Sequence, residues 1–304
     1  MQHLTGLIAA PYTPLTANGK LNLDVIPRYA SLLVEHGLTG AFVGGTTGES
    51  LSLTIDEREA LSAAWIDAAP EGFRILVHVG GPSLPDAQRL AASAQTKGAA
   101  AISAMGPSFF RPRRVEQLVD FCREVASAAD STPFYYYHIP SMTGVTLPLV
   151  EFFRQGGERI PTLTGAKFTH EDLMDFIRAI QLEQGRYNLL FGRDEFLLAG
   201  VALGARGAVG TTYNFAPELY RTVIDRFVAG DFDAARSAQL QSAEMIAVYR
   251  EYGGIPAGKE MMKMLGVDVG PPRKPLETLT IDRARTLRSD LERIGFFEYS
   301  LPAR

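Results

Sequence analysis

The sequence predicts an α/β protein built as a closed (β/α)8 barrel, the TIM barrel, with a C-terminal three-helix extension. Three observations point there. Between residues 6 and 230, short apolar runs alternate with longer amphipathic segments in eight strand-then-helix beats. The apolar runs are continuous rather than alternating, as strands covered on both faces require. The first run lacks the Gly-x-Gly-x-x-Gly turn of a doubly wound dinucleotide-binding sheet, so eight near-equal units favour closure.

Each element has a local cause. Residues 6–11 (GLIAAP) read as the first strand. From 23 to 36, Val25, Ile26, Tyr29, Leu32, Leu33 and His36 fall at helical spacing, and Gly37 supplies a stop. Residues 40–43 give the second strand. Thr54-Ile-Asp-Glu57 is a capping box, in which each side chain takes a backbone N–H left unpaired at a helix start; it opens a helix to Ala68, closed by Pro70. A third strand at 75–79 leads to a helix at 84–97 ended by Gly98. A fourth at 100–104 leads to a helix at 115–129, apolar at 115, 118, 119, 122, 125, 126 and 129. The fifth strand, 134–138, is aromatic and precedes a short helix at 147–154. The sixth, 162–166, precedes a helix with Leu173, Phe176, Ile177 and Ile180 inward. Strands at 187–191 and 207–210 flank a helix at 194–203. From about residue 231 only helical patterns remain, at 234–252, 257–265 and 281–294. No linker rich in Pro, Gly or Ser intervenes, so the division is a barrel over 1–230 and an extension over 231–304.

Composition narrows the function classes. Thirty basic against 34 acidic residues give a net charge of −4, so neither nucleic acid nor an anionic membrane is an expected partner. The basic side holds 24 Arg and 6 Lys, which singles out any lysine in an apolar setting. One cysteine, Cys122, excludes a disulfide framework and a cysteine zinc site, and fits a reducing, cytoplasmic compartment. The opening MQHLTGLIAAPYTPL lacks the features of a signal peptide, and no apolar run approaches the ~20 residues of a membrane span. His3, His36, His78, His138 and His170 show no paired spacing, so no metal is expected.

A barrel of this kind carries its chemistry at the C-terminal ends of the strands. Lys167 directly follows the sixth apolar run, so its ammonium would emerge in an apolar mouth. Desolvation there favours the neutral amine that attacks a ketone, and the resulting iminium is an electron sink. A lysine snorkelling to solvent is the other reading. The loop Gly44-Gly-Thr-Thr-Gly-Glu-Ser50 offers backbone N–H groups and the Thr46 and Thr47 hydroxyls to a carboxylate, or is an ordinary capped turn. Tyr135 and Tyr137 share one strand face and Tyr136 takes the other; an inward tyrosine at the strand end can shuttle a proton, or all three simply pack. His138 reads as a hydrogen-bonded structural histidine. Asp194 and Glu195 either bind the hydroxyls of a polyol or cap the helix that follows.

Taken together, these residues resemble the N-acetylneuraminate lyase and dihydrodipicolinate synthase family of class I aldolases. The likeness runs from Gly6-Leu-Ile-Ala-Ala-Pro11 to Gly270-Pro-Pro-Arg273. Its most specific pieces are Gly45-Thr-Thr-Gly-Glu49, Tyr135-Tyr-Tyr-His-Ile-Pro140, Gly165-Ala-Lys-Phe168 and Gly207-Ala-Val-Gly-Thr-Thr-Tyr-Asn214, in that order. The resemblance implies a barrel with three C-terminal helices, usually a homotetramer, that needs no metal and no cofactor beyond a covalent Schiff base. It implies Lys167 as the Schiff-base lysine, Tyr137 as the proton relay, and Thr46 and Thr47 at the pyruvate carboxylate. In its lyase branch, Thr169, Gly192, Asp194, Glu195 and Thr211 match positions that contact the sugar chain.

The synthase branch typically places an arginine two residues after the proline that follows the tyrosine, to bind a second carboxylate. Here that position is Met142, and the charge-assisted partner is missing. Tyr-Tyr-Tyr-His-Ile-Pro instead resembles the animal-like lyases. The expected reaction is therefore reversible cleavage of N-acetylneuraminate to N-acetylmannosamine and pyruvate. Its alternatives are the same chemistry on another 2-keto-3-deoxy sugar acid, an aldehyde–pyruvate condensation, or a non-catalytic sensor of such acids. Two departures stand out. Phe109 and Phe110 lie where many members place a tyrosine that crosses into the neighbouring subunit, and Arg193 occupies a variable position beside the sugar residues.

Overall fold

The structure, a computed structural model, describes residues 3–301; the ends of the two predicted segments, 1–2 and 302–304, lie outside the described residues. Eight parallel strands follow one another round a closed barrel: β1 (Gly6–Ala9), β2 (Gly40–Val43), β3 (Arg74–His78), β4 (Ala101–Met105), β5 (Phe134–His138), β6 (Leu163–Phe168), β7 (Asn188–Phe191) and β8 (Gly207–Gly210), with β8 pairing back onto β1. Successive side chains point to opposite faces of a strand, and the core divides accordingly. Ile8, Phe42, Leu76, Met105, Tyr135, Tyr137, Leu190 and Val209 fill the interior as one cluster. Their neighbours Leu7, Val43, Ile75, Ile102, Tyr136, Ala166 and Leu189 face the helices in a second cluster. The barrel is thus a packed core, open for chemistry only at its rim.

The helices are α1 (Ile26–Glu35), α2 (Ile55–Ala68), α3 (Leu84–Lys97), α4 (Val115–Ser127), α5 (Pro140–Thr143), α6 (Leu149–Arg159), α7 (Leu173–Ile180), α8 (Leu197–Ala202), α9 (Pro217–Val228), α10 (Phe232–Glu251), α11 (Ile255–Met264), α12 (Ile281–Arg293) and α13 (Phe296–Tyr299). The capping box of α2 is formed: the Thr54 N–H donates to Glu57 Oε2 at 2.9 Å and the Glu57 N–H to Thr54 Oγ1 at 3.2 Å. Gly98 ends α3 in the left-handed region, at φ +85°.

Several elements depart from the sequence reading. β6 continues to Phe168, so Lys167 sits within the strand rather than after it. α6 runs through Gly156 and Gly157, five residues past the expected end. Close approach explains Gly157, where a Cβ would meet the Tyr187 hydroxyl at 2.1 Å; one on Gly156 would sit tightly, 3.1 Å from Leu163. Ile177 is exposed rather than inward, and Asp175 takes the buried side. Its carboxylate accepts the Leu149 and Val150 N–H groups at 2.5 and 3.1 Å, capping α6 from outside. The segment expected as one helix from 194 splits into a 3-10 turn, Asp194–Phe196, and α8. α5, α9 and α13 were not expected, the last adding a short fourth helix to the expected three-helix extension; α9 completes the eighth unit, and α10 packs along it. Among the described residues, no helix is long and apolar enough to cross a membrane.

Candidate active site

The parallel register places Tyr137 on β5 directly beside Lys167 on β6. Both side chains turn inward and are buried. Lys167 Nζ lies 4.2 Å from the Phe42 ring centroid and 4.4 Å from that of Tyr137, so its cation or amine is flanked by two π-faces. The two rings meet edge to face at 5.3 Å. His78 on β3 adds a third ring, 5.5 Å from Tyr137 and nearly perpendicular to it. Burial pushes the His78 imidazole well below its ordinary range, with the Arg58 and Lys167 charges adding to the effect.

The 44–50 loop comes to this cluster from the end of β2. A Cβ on Gly45 would sit 2.9 Å from the Phe42 ring, so only glycine lets the backbone pass so near. Thr46 Oγ1 then lies 3.3 Å from the Tyr137 hydroxyl. Thr47 Oγ1 lies 2.7 Å from Thr211 Oγ1, joining the β2 loop to the end of β8. The loop is tied from behind by a buried ion pair that sequence reasoning missed. Glu49, at φ +54°, pairs with Lys259 of α11 at 2.9 Å. Lys259 also donates to the Thr13 and Pro271 carbonyls, both at 2.9 Å, and the Arg273 N–H donates to Glu49 Oε2 at 2.7 Å.

The other half of the site follows β6, β7 and β8. A Cβ on Gly192 would meet the Thr169 hydroxyl at 2.1 Å, which keeps residue 192 bare at the rim. Asp194 is buried and accepts the Thr212 N–H at 2.9 Å and the Thr212 hydroxyl at 2.7 Å. Burial pushes its carboxyl up to about 6; the Thr212 bonds oppose this, Glu195 adds to it, and Lys167 opposes it. Neither Asp194 nor Glu195 makes a side-chain cap hydrogen bond to the helical turns that follow, and the Leu198 N–H is taken by Gln239. Glu195 Oε1 receives Arg193 Nη1 at 3.4 Å and is also paired with Arg250 Nη2, while Arg193 reaches Glu171 as well.

All nine predicted site residues line one cavity of about 230 Å³: Thr46, Thr47, Tyr137, Lys167, Thr169, Gly192, Asp194, Glu195 and Thr211. Ser141, Met142 and Arg193 join them. Ile246, Tyr249, Arg250 and Ile255 come from the C-terminal extension, and no spacing in the sequence tied them to the barrel rim. The three tyrosines divide as alternation requires. Tyr135 points inward and donates to Asn188 Oδ1 at 2.8 Å, whereas Tyr136 packs on Phe152 at 4.5 Å. His138 lies outside the cavity, between the rings of Tyr136, Phe168 and His170. Ring packing holds it, and its Nδ1 has no hydrogen-bond partner, contrary to the hydrogen-bonded role expected. Burial pushes its imidazole down to about 3, with His170 adding to this and Asp172 opposing it. Phe109 and Phe110 are 80% and 85% exposed and do not line the cavity. Among the described residues, no group of His, Cys, Asp or Glu has the arrangement to hold a metal ion.

A closed barrel with a buried lysine at its mouth, flanked by a phenol and hydroxyls, defines a carbon–carbon lyase of the Schiff-base aldolase type. Residues 3–294 match the profile of the Dihydrodipicolinate synthetase family, and the chain belongs to that family. It is 42% identical over 279 residues, 90% of this chain and 91% of the relative, to a protein of Xenopus tropicalis named N-acetylneuraminate lyase. Among solved structures it superposes on Proteus mirabilis N-acetylneuraminate lyase with a TM-score of 0.94 at 40% identity, over 97% of this chain and 100% of the other. The native N-acetylneuraminate lyase (sialic acid aldolase) of Aliivibrio salmonicida gives a TM-score of 0.95 at 39% identity, over 97% and 98% of the two chains.

Proposed function

We propose that this protein cleaves N-acetylneuraminate reversibly to N-acetylmannosamine and pyruvate through a Schiff base on Lys167. The observation that carries this reading is the buried Lys167 Nζ between Phe42 and Tyr137, with the Thr46 hydroxyl on the phenol. The relatives and solved structures named for that activity support the choice of sugar. Thr46 and Thr47 hold the substrate carboxylate. Lys167 Nζ adds to the C2 carbonyl of the open-chain sugar, and loss of water leaves an iminium. Tyr137 relays the C4 hydroxyl proton as the C3–C4 bond breaks, accepting it on the phenol oxygen while its own hydroxyl proton passes to the substrate carboxylate. The bonding pair moves into the iminium to give an enamine, and the aldehyde departs. Protonation at C3 and hydrolysis then release pyruvate and restore the lysine. Thr169, Asp194, Glu195, Thr211 and the backbone at Gly192 bind the sugar chain, and Met142 offers no cation to a second carboxylate.

We read the working form as a cytoplasmic homotetramer in which residues 1–230 are the catalytic barrel and 231–304 an extension completing its rim. The exposed Phe109–Phe110 pair, edge to face at 4.9 Å, gives a neighbouring subunit an apolar surface to cover. Light scattering at four times the chain mass is the expected result.

The test of the chemistry is borohydride reduction in the presence of pyruvate, followed by peptide mass mapping, with pyruvate release from N-acetylneuraminate read through a lactate dehydrogenase couple. The adduct should map to Lys167 and vanish in Lys167→Ala. An adduct on another lysine refutes the assignment. An adduct without release moves the substrate to another 2-keto-3-deoxy sugar acid. Folded protein that traps no pyruvate would be a non-catalytic sensor.

A further inference from the structure

Glu195 presents an asymmetric carboxylate to the cavity. Arg193 Nη1, from the loop after β7, and Arg250 Nη2, from the last turn of α10, both engage the same oxygen, Oε1. Among the described residues no hydrogen bond engages Oε2. The Arg193 contact is the longer one, 3.4 Å, and its other terminal nitrogen is engaged by Glu171. Arg250 reaches the same oxygen from a separate element, α10, and it lines the cavity itself. Two guanidiniums from separate elements therefore fix where the free oxygen points.

We propose that Arg250 is a positioning residue that orients Glu195 Oε2 as an acceptor for hydroxyls at the distal end of a long polyhydroxylated aldehyde. This sets the preference of the enzyme for such chains over short aldehydes. The proposal rests on the reading of Lys167 as the Schiff-base lysine and deepens it. The C-terminal extension thereby supplies specificity to a site whose reacting groups all belong to the barrel. Arg250 is 59% exposed, and Glu195 keeps Arg193 as a second cation, so the loss of Arg250 should be felt in substrate choice more than in folding. Its contact with Glu195 is a single N–H···O bond to one oxygen, so a lysine ammonium can replace it.

The experiment is run in the condensation direction, with pyruvate and either N-acetylmannosamine or glyceraldehyde as the acceptor. Wild type, Arg250→Met and Arg250→Lys are compared by the ratio of kcat/KM for the long aldehyde to that for the short one. Arg250→Met should lower this ratio about tenfold, mainly through KM for the long aldehyde, as expected when a charged hydrogen-bond acceptor is no longer held in place. Arg250→Lys should restore most of it. A ratio that does not move, or equal losses on both aldehydes, overturns the proposal, as does a lysine variant no better than methionine. If wild type traps no pyruvate on Lys167, it is the underlying aldolase reading that fails.

Discussion

Replacing Lys259 by methionine tests whether the C-terminal extension holds the 44–50 loop in its working position. Lys259 and Glu49 are each 2% exposed at the side chain, and Nζ lies 2.9 Å from Oε1. Burial pushes the Lys259 ammonium below its ordinary range more strongly than Glu49 raises it, so the pair is no large net source of stability. Breaking it is another matter. Methionine keeps the stem but strands the Glu49 carboxylate, with the Arg273 N–H at 2.7 Å as its remaining hydrogen-bond donor. Removing one partner of a buried pair costs about 3–5 kcal/mol, because the other charge stays uncompensated. That loss corresponds to a Tm lower by about 5–8 °C for a chain of this size. Adding Glu49→Gln removes the stranded charge while keeping an acceptor for Arg273, so the double variant should recover about 2–3 kcal/mol. Urea unfolding can be followed through Trp65, which is buried 5.3 Å from Tyr29. Thr46 lies three residues before Glu49, so KM for pyruvate should rise in parallel. A single variant within about 1 kcal/mol of wild type, or a double variant no more stable than the single, refutes the reasoning.

Tyr137→Phe removes the hydroxyl that lies 3.3 Å from Thr46 and should lower kcat by about 10²–10⁴, with KM within about threefold. An unchanged steady-state rate removes Tyr137 from the proton relay. His138, held down to about 3 against about 6.5 when unfolded, binds its proton later in the folded chain, so its contribution is full above pH 6.5 and is lost as pH falls. Between pH 6.5 and 4.5 that loss is about 2 kcal/mol, and His138→Gln should lack it. Urea midpoints at the two pH values decide this, and equal slopes for wild type and variant refute it.

The barrel was legible because its signal is local and repeated. Eight apolar runs with capped helices between them need no knowledge of distant contacts, and β2, β5, β8 and α3 fall at the expected boundaries. The failures trace to longer-range causes. Ile177 fits the apolar period of α7, yet Asp175 takes the inward side because the bare N-terminus of α6 needs an acceptor. The helix expected to end at 154 runs on through Gly156 and Gly157, where Leu163 crowds the first and the Tyr187 hydroxyl leaves no room for a side chain on the second. Such requirements belong to the packed molecule and leave no mark at helical spacing.

The site shows the same division more sharply. Residues beside a strand end, such as Lys167, Tyr137 and Gly192, could be placed because topology alone brings strand ends together. Thr211 and Thr212 are adjacent hydroxyls that composition cannot separate, yet they do different work: Thr211 meets Thr47, and Thr212 holds Asp194. The hold continues through the Tyr220 hydroxyl, 2.5 Å from Thr212 Oγ1, to Ser242 of α10 at 2.8 Å. A chain of hydroxyls thus connects a buried carboxylate to the extension, at the helix that also carries Arg250. Glu49–Lys259 makes the equivalent link from α11 to the 44–50 loop. Both halves of the site are therefore held from outside the barrel. Since every reacting group proposed here lies on the barrel, the extension acts on rate and selectivity through geometry alone. Variants of Lys259 and Arg250 should then differ in kind: the first shifts pyruvate binding with the loop, the second aldehyde choice at a loop left intact.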